Sequence, residues 1–449
     1  MDILEKFKIF IKNENLVHPG DRLILAVSGG PDSMAMMDLF SSIKNEYNLE
    51  LIVAHFDHMI RPGSDEEASF VRDKAEAYGF QCVIGCENVP EYAKTTKSSL
   101  EECARYLRYK FLERVRKEFK AVSISVAHNM DDLVETMIYR LVKGCGPFGM
   151  VAMLPKAGNI IRPLLPFTAE ELRNYVTIKG IEYVVDPSNF DRRIPRNLIR
   201  HEIVPKFRNI NRNFHGAIWR FYSLMRECRE HIDAMVAQFC NTSVENGFLN
   251  LWKVVKIDTI ELLDGFIMKE TLRRLHVEMS GGNYPPDYER IEKLYRKIKE
   301  NGGTSWKIQT GSGVVFERSG TRLFVLNEKA LDDWKGWKIS AGCRRMGKLQ
   351  VCVGQGIVSD EKISVYAPEG SFLVPARDVR KVKLRGVERN TRDVLREYGI
   401  PASFRRKWPV LIWHERVLWI AGVGKCDEYI KSAEQPSLFL RGEDFETEV

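Results

Sequence analysis

Residues 23–40, Leu-Ile-Leu-Ala-Val-Ser-Gly-Gly-Pro-Asp-Ser-Met-Ala-Met-Met-Asp-Leu-Phe, predict a buried strand, a glycine turn and a helix. A helix that begins at the carboxyl end of a strand presents unpaired N–H groups and a partial positive charge. Gly29 and Gly30 have no side chains, so phosphate oxygens can approach the backbone there. Ser28 and Ser33 add hydroxyl donors to the same turn. We therefore place the chemistry of the protein at this turn.

The turn differs from the two common glycine-rich phosphate loops. It lacks the Gly-Lys-Ser/Thr ending with which a P-loop lysine reaches the terminal phosphates, and it is not a G-x-G-x-x-G dinucleotide turn. An ordinary glycine turn is the competing interpretation, because short motifs also occur by chance. The stretch resembles the S-G-G-x-D-S pyrophosphate loop of the ATP pyrophosphatase superfamily, whose members split ATP into AMP and pyrophosphate. This resemblance implies that ATP is bound by Ser28, Gly29, Gly30, Pro31, Asp32 and Ser33.

Length and composition narrow the class of protein. A chain of 449 residues with 44% hydrophobic residues suggests two or three domains, and no stretch approaches the ~18 uninterrupted apolar residues of a membrane span. Residues 1–13 resemble an amphipathic surface helix rather than a signal peptide, so we expect a cytoplasmic protein. The nine cysteines include no C-x-x-C pair, which argues against a disulfide scaffold and against a zinc knuckle.

Three further apolar runs, at residues 51–54, 81–84 and 122–127, alternate with helical patterns. This alternation predicts a parallel sheet, and such sheets bind ligands at the carboxyl ends of their strands. The second strand therefore delivers Ala54 and His55 beside the glycine turn. His55 and His58 are candidate metal ligands, but a hydrogen-bonded structural or substrate-contacting role competes because no third ligand stands at close spacing.

Two serines predict helix starts. Ser64, followed by Glu67, predicts a capping box at the start of the helix after the second strand. Ser99 predicts the cap of a long helix over residues 100–119.

Charged residues recur at helical spacing in two places. Arg105 and Arg108 share one face of the long helix, where a solvated ion-pair stripe is the competing interpretation. Asp132 and Glu135 lie on the first turn of the helix after strand 122–127. Two carboxylates there can hold Mg²⁺ against ATP phosphates or accept a proton from an amine. Acidic residues also favour helix N-termini through the helix dipole alone.

Six stretches in the first two hundred residues carry a resemblance to one family. They comprise residues 28–33, 55–58, 99–105 with 108–109, 127–136, 162–165 and 186–202. Together they resemble the isoleucine-tRNA lysidine synthetases, which belong to the same superfamily. The resemblance implies an α/β fold class: an N-terminal Rossmann-like parallel sheet of the adenine nucleotide alpha hydrolase-like type, a helical middle domain and a small α+β C-terminal domain.

The resemblance also implies a two-step reaction. The family uses ATP and Mg²⁺ to adenylate the C2 oxygen of the cytosine at the first anticodon position of an isoleucine tRNA reading CAU. The ε-amine of free lysine then displaces AMP and forms lysidine. The cytosine oxygen is a poor leaving group until it carries a phosphate, and the glycine loop can hold the departing pyrophosphate.

The resemblance assigns roles to matching residues. Arg105 offsets charge near the reacting phosphate, and Asp132 or Glu135 holds Mg²⁺ or accepts the proton of the attacking amine; the sequence does not divide these two roles. The implied catalytic residues are Asp32, Arg105, Asp132 and Glu135. The implied ATP-binding residues also include Ala54, His55 and His128.

Two segments are strongly basic. Residues 191–229 hold ten Lys or Arg against three acids, and residues 377–407 hold eleven against four, so each carries a net charge of +7. Interleaved aromatic residues in the first segment offer stacking surfaces to an unpaired RNA loop, although such runs are also typical of solvated surfaces. The predicted tRNA contacts are Arg108, Arg196, Asn197, Arg200, Arg385 and Arg405.

We expect three domains: a PP-loop ATP-binding domain over residues 1–215, a helical tRNA-binding domain over 216–330, and a C-terminal tRNA-binding domain over 331–449. Short strands that turn at residues 311–313 and 319–320 finish the middle domain. The expected partners are the CAU-reading isoleucine tRNA and free lysine, with no membrane. The sequence does not determine the oligomeric state, and a homodimer is compatible with it.

Two other functions compete with lysidine synthesis. A tRNA thiolase on the same loop would need a persulfide-carrying cysteine or an iron–sulfur site, and the absence of C-x-x-C pairs counts against it. A tRNA-binding protein with a catalytically silent nucleotide site is the alternative outside the enzymes. ATP-dependent release of pyrophosphate distinguishes an enzyme from such a protein.

Overall fold

The computed structural model describes residues 2–60, 63–185, 195–282, 286–300, 305–354, 360–429 and 437–442. The chain divides into two compact units, Met1–Arg229 and Glu230–Val449. The predicted domain boundaries after residues 215 and 330 stay predictions. No helix in the described ranges has both the length and the apolar composition needed to cross a bilayer.

The first unit contains a six-stranded sheet and the helices around it. Its strands are β1 (Arg22–Ala26), β2 (Glu50–Asp57), β3 (Gln81–Cys86), β4 (Ser123–Val126), β5 (Lys156–Ala157) and β6 (Ile160–Ile161). Its helices are α1 (Ile3–Asn13), α2 (Pro31–Ile43), α3 (Ser64–Ala77), α4 (Val89–Thr96), α5 (Leu100–Glu118), α6 (Met130–Lys143), α7 (Ala169–Ile178), α8 (Pro195–Leu198) and α9 (Val204–Ile210). A π-helical turn, Ile199–Ile203, joins α8 to α9, and helix α10 (Phe214–Ser243) contains the boundary between the units.

The sheet has the strand order β3-β2-β1-β4-β6-β5, and only β5 runs antiparallel to its neighbour. This arrangement confirms the predicted parallel sheet. Ala26 at the end of β1 pairs with Ala54 of β2 and with Val126 of β4. The residues that follow these strands therefore emerge at one edge of the sheet, where parallel sheets bind ligands.

Alternate side chains of the central strands pack into two different cores. On one face, Leu23 and Leu25 of β1 join apolar residues of α1, α2 and α7. On the other face, Ile24 and Ile52 pack with residues of α5 such as Phe111. Both faces of the sheet are buried by helices, which explains why the strands are continuous apolar runs rather than alternating ones.

The two serine predictions have different outcomes. Ser99 caps α5 as predicted, because its hydroxyl accepts a hydrogen bond from the Glu102 N–H at 3.3 Å. The prediction at Ser64 is wrong, since Ser64 is the first residue of α3 and the N-cap is Gly63 at φ +85°. Glycine adopts this left-handed conformation without steric cost, so the chain turns into the helix one residue earlier than predicted.

The second unit begins with a five-stranded antiparallel sheet of order β7-β8-β11-β10-β9. Its elements are β7 (Val244–Asn246), β8 (Trp252–Lys256), α11 (Ile257–Glu261), α12 (Gly265–Ser280), α13 (Tyr288–Lys299), β9 (Ser305–Gly311), β10 (Val314–Ser319) and β11 (Arg322–Asn327). The turns predicted at residues 311–313 and 319–320 are confirmed as the two hairpins of β9, β10 and β11. Strands β7 and β8 were not predicted.

The rest of the second unit is mostly strands, as predicted from residue 334 onward. The strands are β12 (Trp337–Lys338), β13 (Gly342–Met346), β14 (Leu349–Gly354), β15 (Ser364–Tyr366), β16 (Phe372–Pro375), β17 (Lys381–Leu384), β18 (Val387–Asn390), β19 (Pro409–Trp413), β20 (Arg416–Ile420), β21 (Gly424–Lys425) and β22 (Ser437–Gly442). Two short helices, α14 (Thr391–Glu397) and α15 (Ala402–Arg405), accompany them. Val315 of β10 and Trp408 belong to the same core, so one core spans both sides of residue 330.

One disulfide bond connects Cys343 of β13 to Cys352 of β14, which lie directly opposite each other in the hairpin. The spacing of the cysteines did not reveal this pair, because a cross-strand partner depends on the hairpin register rather than on a short motif. The argument against a disulfide scaffold therefore does not exclude a single bridge. The seven other cysteines are free thiols.

Candidate active site

The glycine turn joins β1 to α2 and is organised by Ser33. The Ser33 hydroxyl donates to the carbonyl oxygen of Gly30 (2.9 Å) and accepts from the N–H of Ser28 (3.2 Å). Gly29 has a φ of +87°, and a Cβ there would lie 3.3 Å from Cγ2 of Val71. The positive φ therefore favours glycine at this position, and the space for a side chain is tight. The turn and the N-terminus of α2, called the phosphate cradle below, have the geometry expected of the predicted phosphate site.

His55 braces the same turn from β2. Its side chain is 5% exposed, and its Nδ1 lies 2.9 Å from the carbonyl oxygen of Val27. Burial lowers the pKa of His55, so the ring is neutral at pH 7 and Nδ1–H donates to that carbonyl. Ala54, which precedes it, is also buried. The contact favours the hydrogen-bonded role of His55 over that of a metal ligand.

Asn129 connects the two predicted carboxylates Asp32 and Asp132. Its side-chain amide donates to Oδ2 of Asp32 (3.0 Å), and its Oδ1 accepts from the N–H of Asp132 (3.1 Å). Oδ2 of Asp132 accepts in turn from the backbone N–H of Asn129 (3.0 Å), which completes a capping box at the start of α6. Asn129, which lies between β4 and α6, therefore holds the carboxylates of Asp32 and Asp132 at the carboxyl edge of the sheet.

Asp32 and Asp132 are held where negative charge is unfavourable. Burial and, to a smaller extent, the charge of Asp132 together raise the pKa of Asp32 to about 7. Burial also raises the pKa of Asp132. Oδ1 of Asp32 is buried and accepts no hydrogen bond among the described residues. Such a pair is suited to a ligand that brings positive charge.

Glu135 lies one turn further along α6 and is paired with Arg200. The Arg200 guanidinium donates to both carboxylate oxygens of Glu135, at 2.6 Å from Nε and 3.1 Å from Nη2, and Nη2 lies 3.5 Å from Oδ1 of Asp132. Glu135 is 2% exposed, and burial raises its pKa to about 7 although Arg200 opposes the shift. Arg200 sits in the π-helical turn between α8 and α9, a feature that is frequent at functional sites.

Four arginines surround His128, which follows β4. Burial lowers the pKa of His128 to about 3, and the charges of Arg162, Arg108, Arg105 and Arg196 contribute to the shift. The ring is therefore neutral at pH 7, and its Nδ1 has no hydrogen-bond partner among the described residues. Concentrated positive charge beside the phosphate cradle is suited to the phosphates of ATP or RNA.

The residues around Asp32 fit a magnesium ion. No group of three or more His, Cys, Asp or Glu side chains within the described ranges could hold a metal ion alone. Mg²⁺ at nucleotide sites usually takes one or two carboxylates and completes its shell with phosphates and water. The unpartnered Oδ1 of Asp32 suits this pattern, and so does the neighbouring Asp132, because its Oδ1 has only a long 3.5 Å contact with Arg200. Both oxygens of Glu135, in contrast, accept from Arg200 at 2.6 and 3.1 Å.

The structure separates the six predicted tRNA contacts into different environments. Arg200 is half-buried and contacts Glu135, and Asn197 is 7% exposed. Arg108 and Arg196 are half-buried near His128. In the second unit, Arg385 is exposed at the tip of the β17–β18 hairpin. Arg405 is 9% exposed, and its Nε donates to the carbonyl oxygen of Ile400 at 2.8 Å.

Asn129 and Arg162 belong to the stretches that carry the family resemblance, but the sequence analysis assigned no role to either residue. Asn129 links the carboxylates, and an Asn followed three residues later by an acid is a recognisable capping signal. Arg162 is 8% exposed and donates to the carbonyl oxygen of Leu154 at 2.8 Å, beside the other arginines. The stretch 186–189 and the arginines at 192 and 193 lie outside the described residues.

Comparisons with known proteins match both ends of the chain. Residues 2–207 match the family described as PP-loop domain, and residues 375–441 match the family described as TilS substrate C-terminal domain. A tRNA(Ile)-lysidine synthase from Thermosipho africanus is 39% identical over 439 residues, which cover 97% of this chain and 96% of that protein. Proteins of the same name from Pseudothermotoga lettingae and Thermotoga sp. are 28% and 31% identical and cover 96% and 92% of this chain, and 92% and 94% of their own lengths.

Proposed function

The chain belongs to the family of tRNA(Ile)-lysidine synthases, and from this membership we propose its reaction and the roles of its residues. ATP adenylates the C2 oxygen of the cytosine at the first anticodon position of a CAU-reading isoleucine tRNA. The oxygen attacks the α-phosphorus and pyrophosphate leaves. The ε-amine of free lysine then attacks C2, the C2–O bond breaks, AMP leaves and the amine loses a proton. The product is lysidine.

The first step uses the turn between β1 and α2. The N-terminus of α2 and the hydroxyls of Ser28 and Ser33 receive the pyrophosphate group. Arg105 and the other arginines around His128 offset the negative charge that collects near the α-phosphorus. Mg²⁺, when bound at Asp32 and Asp132, supplies further charge neutralisation for the phosphates.

The second step uses the carboxylates of α6. An attacking amine becomes strongly acidic as its bond to C2 forms, so a carboxylate with a pKa of about 7 accepts its proton. Glu135 has such a pKa, and Arg200 fixes the direction of its two oxygens. We therefore assign the proton acceptor to Glu135 and the metal contact to Asp132 with Asp32, a division that the sequence leaves open.

The second unit has a proposed role in holding the tRNA. The family match over residues 375–441 includes the basic segment, and Arg385 projects there from an exposed hairpin tip. Arg405 supports the α15 region from inside the unit, so we expect its contribution to tRNA binding to be indirect. Because the substrate is a tRNA, we expect the enzyme to act in the cytoplasm. A homodimer stays compatible with this function.

The observation that carries the proposal is the bridge of Asn129 between Asp32 and Asp132 at the phosphate cradle. A protein that only binds tRNA does not need buried carboxylates with raised pKa values beside an arginine cluster, because their burial costs stability. The experiment is transfer of labelled lysine to a transcript of the isoleucine tRNA with a CAU anticodon. Transfer that requires both ATP and the first anticodon cytosine, with stoichiometric AMP, is expected; pyrophosphate release without lysine transfer contradicts it.

Asp132→Asn is expected to reduce lysine transfer by about a thousandfold while tRNA binding changes less than twofold. Asparagine keeps the oxygen that accepts from the Asn129 N–H, so the start of α6 is preserved, but the negative charge is lost. Asp73→Asn on the exposed face of α3 is the matched control. Single-turnover transfer and filter binding of the tRNA measure the two effects, and unchanged turnover would refute the role of Asp132.

A further inference from the structure

A surface cavity of about 420 Å³ in the first unit has no role in the proposed chemistry. Its walls come from the start of α7, the end of α9, the start of α10 and the segment that joins these last two helices. The lining residues are Thr168, Glu170, Arg208, Arg212, Asn213 and His215. Two guanidinium groups and a histidine therefore face one carboxylate, that of the exposed Glu170. The two guanidinium groups offer several hydrogen-bond donors to an anion at this place.

Arg208 connects this cavity to the catalytic helix α6. Its Nε lies 3.4 Å from Nδ1 of His215, and Nε2 of His215 lies 3.0 Å from Oδ1 of Asp131. Nη2 of Arg208 is itself 3.6 Å from Oδ1 of Asp131. His215 is 9% exposed, so the contact with Asp131 is shielded from water. Asp131 immediately precedes Asp132 in the first turn of α6.

Asp131 also joins α6 to α7. Its Oδ2 accepts from the backbone N–H of Ala169 at 2.7 Å, the first residue of α7. With His215 on Oδ1 and Ala169 on Oδ2, both oxygens of Asp131 are occupied by structural partners, unlike Oδ1 of Asp32. It positions the first turn of α6 rather than taking part in the reaction.

The neighbouring side chains point to RNA as the source of the anion. Phe207 precedes Arg208, is 39% exposed and stacks on Phe214 with ring centroids 5.0 Å apart. An exposed ring next to an arginine in the chain can stack a base while the arginine binds a phosphate of the same strand. A free phosphate or a phosphorylated peptide would not use the ring in this way.

We propose that Arg208 and Arg212 bind a backbone phosphate of the RNA substrate in this cavity, and that Arg208 links the phosphate to the first turn of α6 through His215 and Asp131. The proposal rests on the proposed function, because it names a contact of the same RNA. In this proposal Arg212 contributes only to the affinity for the RNA. Arg208 contributes to that affinity and also positions the first turn of α6. A planar guanidinium can donate to the phosphate and to His215 at the same time.

The test compares Arg212→Gln and Arg208→Gln with Lys179→Gln, an equal loss of charge at the exposed far end of α7. We measure the Kd of the tRNA without ATP or lysine at several salt concentrations. Arg212→Gln is expected to weaken binding about tenfold at low salt and to reduce the slope of log K against log salt by about 0.7–0.9. Equal slopes and affinities for Arg212→Gln and Lys179→Gln would overturn the cavity as a phosphate site.

Turnover tests the link to α6. Arg208→Gln is expected to lower kcat for lysine transfer about tenfold in addition to raising the KM of the tRNA. Arg208→Lys is expected to restore the salt slope but not kcat, because an ammonium group does not reproduce the paired contacts of the guanidinium with His215 and the phosphate. A loss confined to KM in Arg208→Gln would overturn the link, and equal melting temperatures confirm that each variant is folded.

Two further comparisons separate the explanations. Inorganic phosphate should compete with the tRNA no better than chloride at equal ionic strength; stronger competition, lost in Arg212→Gln, would mean that the cavity binds free anions instead. The binding measurements do not depend on catalysis. A wild-type protein that transfers no lysine but shows the Arg212 effect contradicts the proposed function and the link to α6, whereas transfer without the Arg212 effect contradicts the cavity alone.

Discussion

Arg200→Gln is expected to abolish lysine transfer and to destabilise the first unit, with a deficit that grows as the pH rises. Removing the guanidinium leaves Glu135, which is 2% exposed, without its bidentate partner. Breaking a fully buried ion pair lowers the free energy of unfolding by about 3–5 kcal/mol. We expect a smaller loss of about 2 kcal/mol for this pair, because Arg200 is 38% exposed and solvent partly screens its charge. For a unit of this size that corresponds to roughly 4–8 °C in melting temperature.

The direction of the pH dependence follows from Glu135. Its pKa is already raised to about 7 with Arg200 in place, and loss of the guanidinium raises it further. Below pH 7 the unpaired carboxyl group takes up a proton and avoids the cost of a buried charge. Above pH 8 it must ionise without a partner, so the difference in melting temperature from the wild type increases. Melting curves between pH 6 and pH 9 measure this trend.

Arg72→Gln, an equal loss of charge on the exposed face of α3, is the matched control and should leave both stability and transfer unchanged. The double variant Arg200→Gln with Glu135→Gln replaces the ion pair by two amides that can hydrogen-bond. We expect it to regain most of the stability but none of the activity. Full activity in Arg200→Gln, or a deficit that shrinks with pH, contradicts the assignment.

The sequence predicted the features that depend on local pattern. The four parallel strands, the glycine turn and the Ser99 cap each follow from residues within a few positions of one another. The glycine turn between β1 and α2 was therefore predictable without any knowledge of tertiary contacts, and its binding of phosphate stays a prediction. The error at Ser64 is also local: a glycine one residue earlier could make the turn at lower cost.

The sequence did not predict contacts between distant residues. Arg200 lies 65 positions from Glu135, and nothing in a basic run distinguishes an arginine that will pair with a buried acid from one on the surface. Arg405 was assigned to RNA by the same reasoning, yet packing leaves it 9% exposed. The register of β13 and β14 brings Cys343 opposite Cys352 in the same way. In each case the fold decides the partner.

Asp32→Asn is expected to reduce ATP-dependent pyrophosphate release and lysine transfer by at least a hundredfold. Asparagine keeps an oxygen that accepts from the side-chain amide of Asn129, so the bridge to α6 survives, but the charge that faces the phosphate cradle is lost. In the wild-type protein, the same activity should rise with pH through about 7, because the carboxyl group of Asp32 must be ionised to hold a cation. Pyrophosphate release at several pH values tests both statements.

The same variant is expected to be more stable than the wild type at pH 8. The pKa of Asp32 is raised from 3.8 to about 7 in the folded protein, so the folded state binds a proton more tightly than the unfolded chain does. Stability therefore falls as pH rises from about 4 to about 7, and the full cost of the buried charge is present above pH 7. Asparagine removes that cost, so its gain in melting temperature should be largest at pH 8 and vanish below pH 4.

Asp73→Asn, a substitution of an exposed acid on α3, should show no such gain in melting temperature. An inactive Asp32→Asn variant that is also less stable at pH 8 would mean that Asp32 supports the fold, whereas an inactive but stabilised variant identifies a carboxylate whose burial is retained for the reaction.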